Sequence, residues 1–282
     1  MLLAACGGSD DGENGRSQSP IADDAVVDDP GPVHVHGLGI DPGDDALFAA
    51  THTGLFRAAK EERKATRVAG RYQDTMAFTI VGAGHFMGSG HPDGRDKLPP
   101  FLGLIESRDG GGTWQPVSLQ GKVDFHVLEV SGRRVYGFGS DFETRKPRFM
   151  ASSDRGKNWA DHQIPEPFAS LAIKPDDAGH LVAAGENGLH GSRDAGASWR
   201  ALGGRPGLLA WTKRDELYLL GNDGGVSVSR RGGRDWKAVG SVGGPPAAFD
   251  SAADGRLLAA LHDGTIKQSS DGGATWKVRS TP

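Results

Sequence analysis

The sequence contains a single cysteine, Cys6, among its 282 residues. One cysteine excludes an intramolecular disulfide and the cysteine-rich class of structural zinc site. The chain also lacks any apolar run near the roughly 18 residues that a membrane span requires. Its formal net charge is −4, and it has no basic tract with interleaved aromatic residues, which argues against nucleic acid as a partner. Stability must therefore come from an apolar core.

Sequence motifs of several common enzyme classes are also missing. We find no Gly-x-Ser-x-Gly elbow, no phosphate-binding loop and no His-Glu-x-x-His segment. Glycine, by contrast, occurs 44 times and proline 16 times. This composition is typical of many short strands joined by tight turns, and it predicts an all-β fold.

One eight-residue segment recurs through the chain. Ser107 to Trp114 reads SRDGGGTW, and further copies end at Trp159, Trp199, Trp236 and Trp276. We call this segment the Ser-x-Asp turn, because serine and aspartate side chains can bond nearby backbone amides and stiffen a turn, while glycine permits positive φ. The residues that we assign to these turns are Ser107, Asp109, Gly111 and Trp114; Ser152, Asp154, Gly156 and Trp159; Ser192, Asp194, Gly196 and Trp199; Ser229, Gly233 and Trp236, with Arg231 in place of the aspartate; and Ser269, Asp271, Gly273 and Trp276.

The segment resembles the Asp-box, or BNR repeat, of sialidases, sortilin-type receptors and photosystem assembly propellers. The resemblance covers residues 33–282 and implies a β-propeller of the sialidase-like and sortilin-like repeat type. In such a fold the repeated turn has a structural role, so the copies predict architecture rather than chemistry.

The spacing of the repeat predicts the number of blades. Successive turn tryptophans lie 45, 40, 37 and 40 residues apart, which fits blades of four strands each. The innermost strands align at triplets that begin at His36, Met76, His126, Ala169, Leu209 and Ala247. We therefore expect six blades, the first without a Ser-x-Asp turn. A seventh blade would need strands from the residues before residue 33, where the segment 21–27 is a poor candidate for strands.

The amino-terminal residues predict export and anchoring. Leu3-Ala4-Ala5-Cys6 resembles a bacterial lipobox, so we interpret residues 1–6 as the remnant of a lipoprotein signal with Cys6 as the lipidated residue. Residues 7–32 are acidic and small, and they predict a disordered tether ahead of a propeller at residues 33–282. The protein is thus expected to be an extracytoplasmic lipoprotein of the bacterial cell membrane.

The candidate site is expected on the face opposite the Ser-x-Asp turns. Those turns join the third and fourth strands of a blade, whereas the mouth of the channel is ringed by the starts of the first strands and by the loops between the second and third. Long loops on a rigid scaffold are where function usually lies. The candidate ligand-binding residues there are His34, His36, His52, Asp74, His91, Asp124, His126, Glu186 and His262.

Three interpretations of these residues remain open. Neutral imidazoles near carboxylates suit zinc or copper, with His34, His36, His52 and His126 as metal ligands, because His34 and His36 in one strand would point the same way. Alternatively, the side chains hydrogen-bond a small polar ligand, a glycan or an envelope protein. In the third interpretation they only cap strand ends.

Glycoside hydrolysis is the alternative function. The resemblance to sialidases implies an active site with an arginine triad, a tyrosine nucleophile and two carboxylates. In this sequence such a site would draw on Tyr72, Asp74, Arg71 and Glu186. The Phe/Tyr-Arg-Ile-Pro motif of that family is absent. The sequence therefore favours a binding protein over an enzyme.

The interpretation of Cys6 leads to a first prediction. Cys6→Ser in cells that export the protein should remove the lipid attachment point and release the protein in soluble form. Fractionation into membrane and soluble pools, followed by immunoblotting, measures the release. Continued sedimentation of the variant with membranes would contradict lipid anchoring at Cys6.

Overall fold

The computed structural model describes residues 31–282. The predicted lipid attachment at Cys6 and the tether up to residue 30 lie outside these described residues. Within the described range the chain forms six antiparallel sheets, each made of four consecutive strands. Neighbouring sheets contact one another through their first strands, and the last sheet contacts the first. This confirms the predicted all-β, six-bladed β-propeller.

The strands of the first three blades follow the chain without crossing. The first blade contains β1 (Val35–Ile40), β2 (Leu47–Thr51), β3 (Gly54–Ala58) and β4 (Thr66–Arg67), with a 3-10 turn at Val68–Gly70. The second contains β5 (Asp74–Gly82), β6 (His85–His91), β7 (Leu104–Ser107) and β8 (Gln115–Ser118). The third contains β9 (Val123–Ser131), β10 (Arg134–Asp141), β11 (Pro147–Ser152) and β12 (Ala160–His162).

The remaining blades repeat this order. The fourth contains β13 (Phe168–Lys174), β14 (Asp177–Gly185), β15 (Gly188–Ser192) and β16 (Arg200–Gly203). The fifth contains β17 (Leu208–Thr212), β18 (Glu216–Leu220), β19 (Gly225–Ser229) and β20 (Lys237–Ser241). The sixth contains β21 (Pro246–Ser251), β22 (Leu257–Leu261), β23 (Ile266–Ser269) and β24 (Lys277–Ser280). In the described part of the chain, no helix has the length and apolar character needed to cross a membrane.

Each Ser-x-Asp turn is held by side-chain bonds to the backbone. In the third blade, the Ser152 hydroxyl donates to Asp154 Oδ1 (2.8 Å) and accepts from the Gly156 N–H (2.9 Å). Asp154 Oδ1 in turn accepts from the Asn158 N–H at 2.9 Å. These bonds reach four residues along the chain. In the fifth blade, where Arg231 replaces the aspartate, the serine still accepts from the glycine N–H, at 3.2 Å.

The turn glycines also place each blade against the one before it. Gly156 has φ 77°, and a Cβ there would lie 2.1 Å from the Leu104 side chain of the preceding blade. Gly111 meets Leu55 and Gly196 meets Phe149 in the same way, at 2.3 and 2.4 Å. Glycine is therefore required at this position for two reasons: the backbone has a positive φ, and a Cβ would overlap the neighbouring blade.

The turn tryptophans lie just before the fourth strands. Each ring is only partly buried and packs beside one of the apolar clusters of the core. The indole N–H of Trp159 donates to the Gly156 carbonyl at 2.9 Å, and Trp199, Trp236 and Trp276 make the equivalent bond. The ring is thus fixed to its own turn.

The ring closes between the sixth and first blades through a shared apolar cluster that includes Leu38 and Leu258, and through additional polar contacts. The Arg63 carbonyl accepts from the Thr281 N–H (3.0 Å) and from the Ser280 hydroxyl (2.8 Å). The Arg279 guanidinium donates to backbone carbonyls of the first blade, and Arg256 pairs with Asp45. The segment that replaces the missing Ser-x-Asp turn therefore receives the end of the chain.

A central channel runs between the first strands of the blades. A narrow part of about 120 Å³ leads into a wider part of about 690 Å³, and Glu129 and Asp250 line both. Burial raises the pKa of Asp250 to about 7. Burial, assisted by the nearby Asp250 carboxylate, raises the pKa of Glu129 well above its usual range. The channel thus holds two carboxyl groups that resist ionisation.

The role of the turn serine can be measured at one blade. Ser152→Ala removes the acceptor for the Gly156 N–H inside a buried turn, so the free energy of unfolding should fall by about 1–3 kcal/mol. Chemical denaturation followed by tryptophan fluorescence gives this value. Ser153→Ala, in the same turn but exposed, is the matched control. Equal losses for the two variants would contradict the assigned role.

The channel carboxyl leads to a pH-dependent prediction. Because the folded pKa of Asp250 lies above the unfolded value of 3.8, the folded state binds more protons and stability falls as pH rises from about 4 to about 7. Asp250→Asn should therefore stabilise the protein by about 1–2 kcal/mol more at pH 8 than at pH 5. Thermal melts at both pH values test this, with Asp235→Asn at an exposed position as the control. The same gain at both pH values would refute the prediction.

Candidate functional site

Two histidines enter the mouth of the channel because the first strands are bulged at their positions. In β1, Val35 pairs with Thr51 and Gly37 with Ala50, so His36 is an extra residue. In β9, Phe125 and Val127 pair with Gly139 and Phe138, which leaves His126 as the extra residue. A bulge of this kind turns a side chain away from the normal alternation of a strand. Both His36 and His126 line the channel.

His36, His52 and Asp74 form the centre of the site. The His36 and His52 rings meet edge to face, with centroids 4.2 Å apart. His52, in the turn between β2 and β3, places Nδ1 3.0 Å from Asp74 Oδ2 at the start of β5. One donor atom from each of the three residues lies within 4.8 Å of the others. Side chains of the first and second blades therefore meet at this point.

His34 reaches the site by a different route from the one expected. The residue precedes β1 and has φ 55°, so it is not in a strand with His36 and the expectation that strand geometry aligns the two rings is wrong. Its ring nevertheless lies 5.4 Å from the His52 ring. His34 therefore borders His52 at the exposed edge of the mouth.

A second group surrounds Asp124. His126 Nε2 lies 2.9 Å from Asp124 Oδ2, and His91 Nε2 lies 3.5 Å from the same oxygen. The Asp124 side chain is 5% exposed, whereas that of His126 is 47% exposed. Since Asp74 and His91 are also paired across β5 and β6, the two groups adjoin. We call His34, His36, His52, Asp74, His91, Asp124 and His126 together the mouth cluster.

Three buried polar atoms of the mouth cluster have no hydrogen-bond partner. They are His36 Nε2, Asp74 Oδ1 and Asp124 Oδ1, and among the described residues these are the only buried side-chain nitrogen or oxygen atoms without one. Buried polar groups are normally paired, because each unpaired group costs about 1–3 kcal/mol. The unsatisfied atoms of the whole described chain are thus concentrated in one place.

The pKa values of His36 and His126 are shifted in opposite directions. Burial, aided by the neighbouring His52, lowers the pKa of His36 to about 4. The hydrogen bond to Asp124 raises the pKa of His126 above its ordinary value. The mouth therefore holds one imidazole kept neutral and one held close to a carboxylate.

Glu186 and His262 do not join the cluster. Both lie exposed in turns between the second and third strands of their blades, as expected from their alignment with His52. Among the described residues, however, no hydrogen bond, ion pair or ring contact links either side chain to the mouth cluster. Glu186 belongs to the fourth blade, whereas His262 belongs to the sixth, which adjoins the first blade that carries His52.

The four residues proposed for a hydrolase site, Tyr72, Asp74, Arg71 and Glu186, do not all lie close to one another. The Arg67 guanidinium lies 3.9 Å from the centroid of the Tyr72 ring and that of Arg95 lies 5.7 Å away. Arg71 pairs with Asp96 and Arg95 with Asp93, so two of these cations are bound by carboxylates of the same loop. Glu186 is on another blade, and Asp74 contacts His52 instead.

Sequence reasoning missed an aromatic wall beside His91 and the acidic channel below. Phe101 lies 5.4 Å from the His91 ring and 5.1 Å from the Phe142 ring, and Arg145 covers both phenylalanines. These residues come from the two long loops, whose conformations no local pattern predicts. Glu129 and Asp250 did carry a signal, since each is a charged residue inside an otherwise largely apolar first strand.

Comparisons with known proteins bear on the fold. No protein-family model matches the chain, and no curated protein matches it. Solved structures do. An ancestral GH74 enzyme is 12% identical with a TM-score of 0.58, covering 88% of this chain and 39% of its own. YCF48 bound to D1 peptide is 20% identical with a TM-score of 0.48, covering 72% of this chain and 66% of its own. The chain thus spans less than two thirds of either structure, and the likeness concerns the fold alone.

Proposed function

We propose that this protein is a binding protein that captures a polar ligand or a partner protein at the mouth cluster. The observation that carries the proposal is the convergence of three buried, unpartnered polar atoms, His36 Nε2, Asp74 Oδ1 and Asp124 Oδ1. A bound ligand would satisfy them and recover the free energy that their burial costs. The rigid strand ends that present them suit recognition without a large conformational change.

The surroundings of the mouth cluster extend the binding surface. Tyr72 is 47% exposed beside Arg67, and Leu98 is equally exposed in the long loop of the second blade. Arg145 lies over the neighbouring phenylalanines. A ligand seated on the carboxylates and imidazoles would meet this aromatic and cationic rim, which suits a peptide segment or a glycan.

We further propose that the protein acts outside the cytoplasm, attached to the bacterial cell membrane through Cys6. The lipobox-like Leu3 to Cys6 segment and the acidic residues 7–32 support this placement. The Asp-box-like repeat supports it as well, since exported receptors carry similar repeats. A partner in the cell envelope is then the natural candidate.

Glycoside hydrolysis of the sialidase-like type has less support. Its proposed arginines are already engaged by Asp93 and Asp96. Asp74 faces His52 at 3.0 Å, and no contact in residues 31–282 brings Glu186 to it. A sialidase-like site uses a tyrosine nucleophile that the glutamate must reach, whereas Glu186 lies in the fourth blade and Tyr72 lies between the first and second.

The proposal can be tested by quantitative capture. Residues 31–282 without a polyhistidine tag are immobilised and incubated with envelope extract and its small-molecule fraction, and bound species are identified by mass spectrometry. We expect a bound species that falls about tenfold or more with Asp124→Asn, which alters the carboxylate shared by two imidazoles. His85→Ala, which removes a His85–Glu106 pair near the Ser-x-Asp turn face, is the matched control and should retain capture. Equal capture by wild type and Asp124→Asn would contradict the proposed site.

A further inference from the structure

The geometry points to a divalent transition-metal ion of the zinc or copper class as a ligand of the mouth cluster, held by His36, His52 and Asp74. This inference rests on the proposed function, because it names the chemical class of one ligand of the same site. It replaces the four-histidine set expected from the sequence with two histidines and one aspartate.

The three side chains offer the right donor types at short range. Neutral imidazole nitrogens and a carboxylate oxygen are the usual protein ligands of zinc, at about 2.0–2.2 Å from the ion. Donors of a tetrahedral site are then about 3.3–3.5 Å apart. His52 Nδ1 and Asp74 Oδ2 are 3.0 Å apart, and all three donor atoms lie within 4.8 Å of one another. Small side-chain adjustments would bring them onto one ion.

The unpartnered atoms are a second, independent observation. His36 Nε2 is buried and has no hydrogen-bond partner, although His52 and Asp74 lie close by. Asp74 has one oxygen near His52 and its other oxygen buried without a partner. A cation between these residues would satisfy the imidazole nitrogen and neutralise the carboxylate at once.

The same geometry excludes two residues from the ligand set. His126 already bonds Asp124 at 2.9 Å through its Nε2, and that aspartate belongs to the third blade. The His34 ring lies 5.4 Å from the His52 ring and is exposed, and His34 is not part of the group of three close donors. Three protein ligands leave at least one coordination position open, which is typical of zinc sites that exchange an outside ligand.

The experiment is a metal titration of untagged protein after dialysis against chelator. Isothermal titration calorimetry with Zn²⁺ should show one tight site per chain, and Co²⁺ should give the visible absorption bands of a tetrahedral nitrogen and oxygen site. His36→Gln and Asp74→Asn should each weaken Zn²⁺ binding by about tenfold or more. Zn²⁺ should also raise the melting temperature of wild type and not that of these variants.

Matched controls separate the two ligand sets. His34→Ala and His126→Gln change neighbouring imidazoles and should retain Zn²⁺ affinity within about twofold, as should His262→Ala on the sixth blade. Melts of each variant without metal verify that it is folded. Absence of stoichiometric binding would overturn the inference, and so would loss of binding in His126→Gln with retention in His36→Gln.

Failure of this inference can be told apart from failure of the proposed function. If Zn²⁺ does not bind while Asp124→Asn still abolishes capture, the metal is rejected and the binding site remains. If Zn²⁺ binds as described while capture is indifferent to Asp124→Asn, the metal site is supported and the proposed function is rejected.

Discussion

The seating of each turn glycine on the preceding blade is the contact on which the propeller depends. At Gly156 the backbone comes so close to Leu104 that any Cβ would overlap the leucine side chain. The hydroxyl of Ser152 and the carboxylate of Asp154 fix the turn in the one shape that allows this approach. The repeated segment therefore acts between blades as much as within them, and one blade provides the surface that the next requires.

The same constraint explains why the first blade differs. Its neighbour on that side of the ring is the sixth blade, so its connection between the third and fourth strands contacts the last residues of the sixth blade. Arg63 accepts hydrogen bonds from the last residues of the chain, and Arg256 reaches Asp45 across the junction. Closure thus combines these backbone bonds and ion pairs with an apolar cluster that the two blades share, rather than a strand common to both. The break in the repeat, visible in the sequence after Arg57, marks this junction.

The architecture could be predicted from the sequence because the repeat is a local signal that recurs every 37 to 45 residues. The sequence was less informative about the site. The alignment placed His36 and His126 at equivalent positions, and both positions are bulged, but the alignment did not reveal the bulges. The strand assumed for His34 was wrong because its backbone is left-handed at φ 55°. Glu186 and His262 align with His52 in their own blades, but an equivalent position does not fix where a side chain points, and both of these side chains are exposed.

The chain enters the propeller beside its own mouth cluster. The Thr53 hydroxyl, one residue from His52, donates to the Gly31 carbonyl at 2.8 Å, so the first described residues lie on the rim that carries His34. The described chain therefore begins on the same side of the disc as the proposed ligand. Any ligand or partner seated on the mouth cluster would lie close to this end of the described chain.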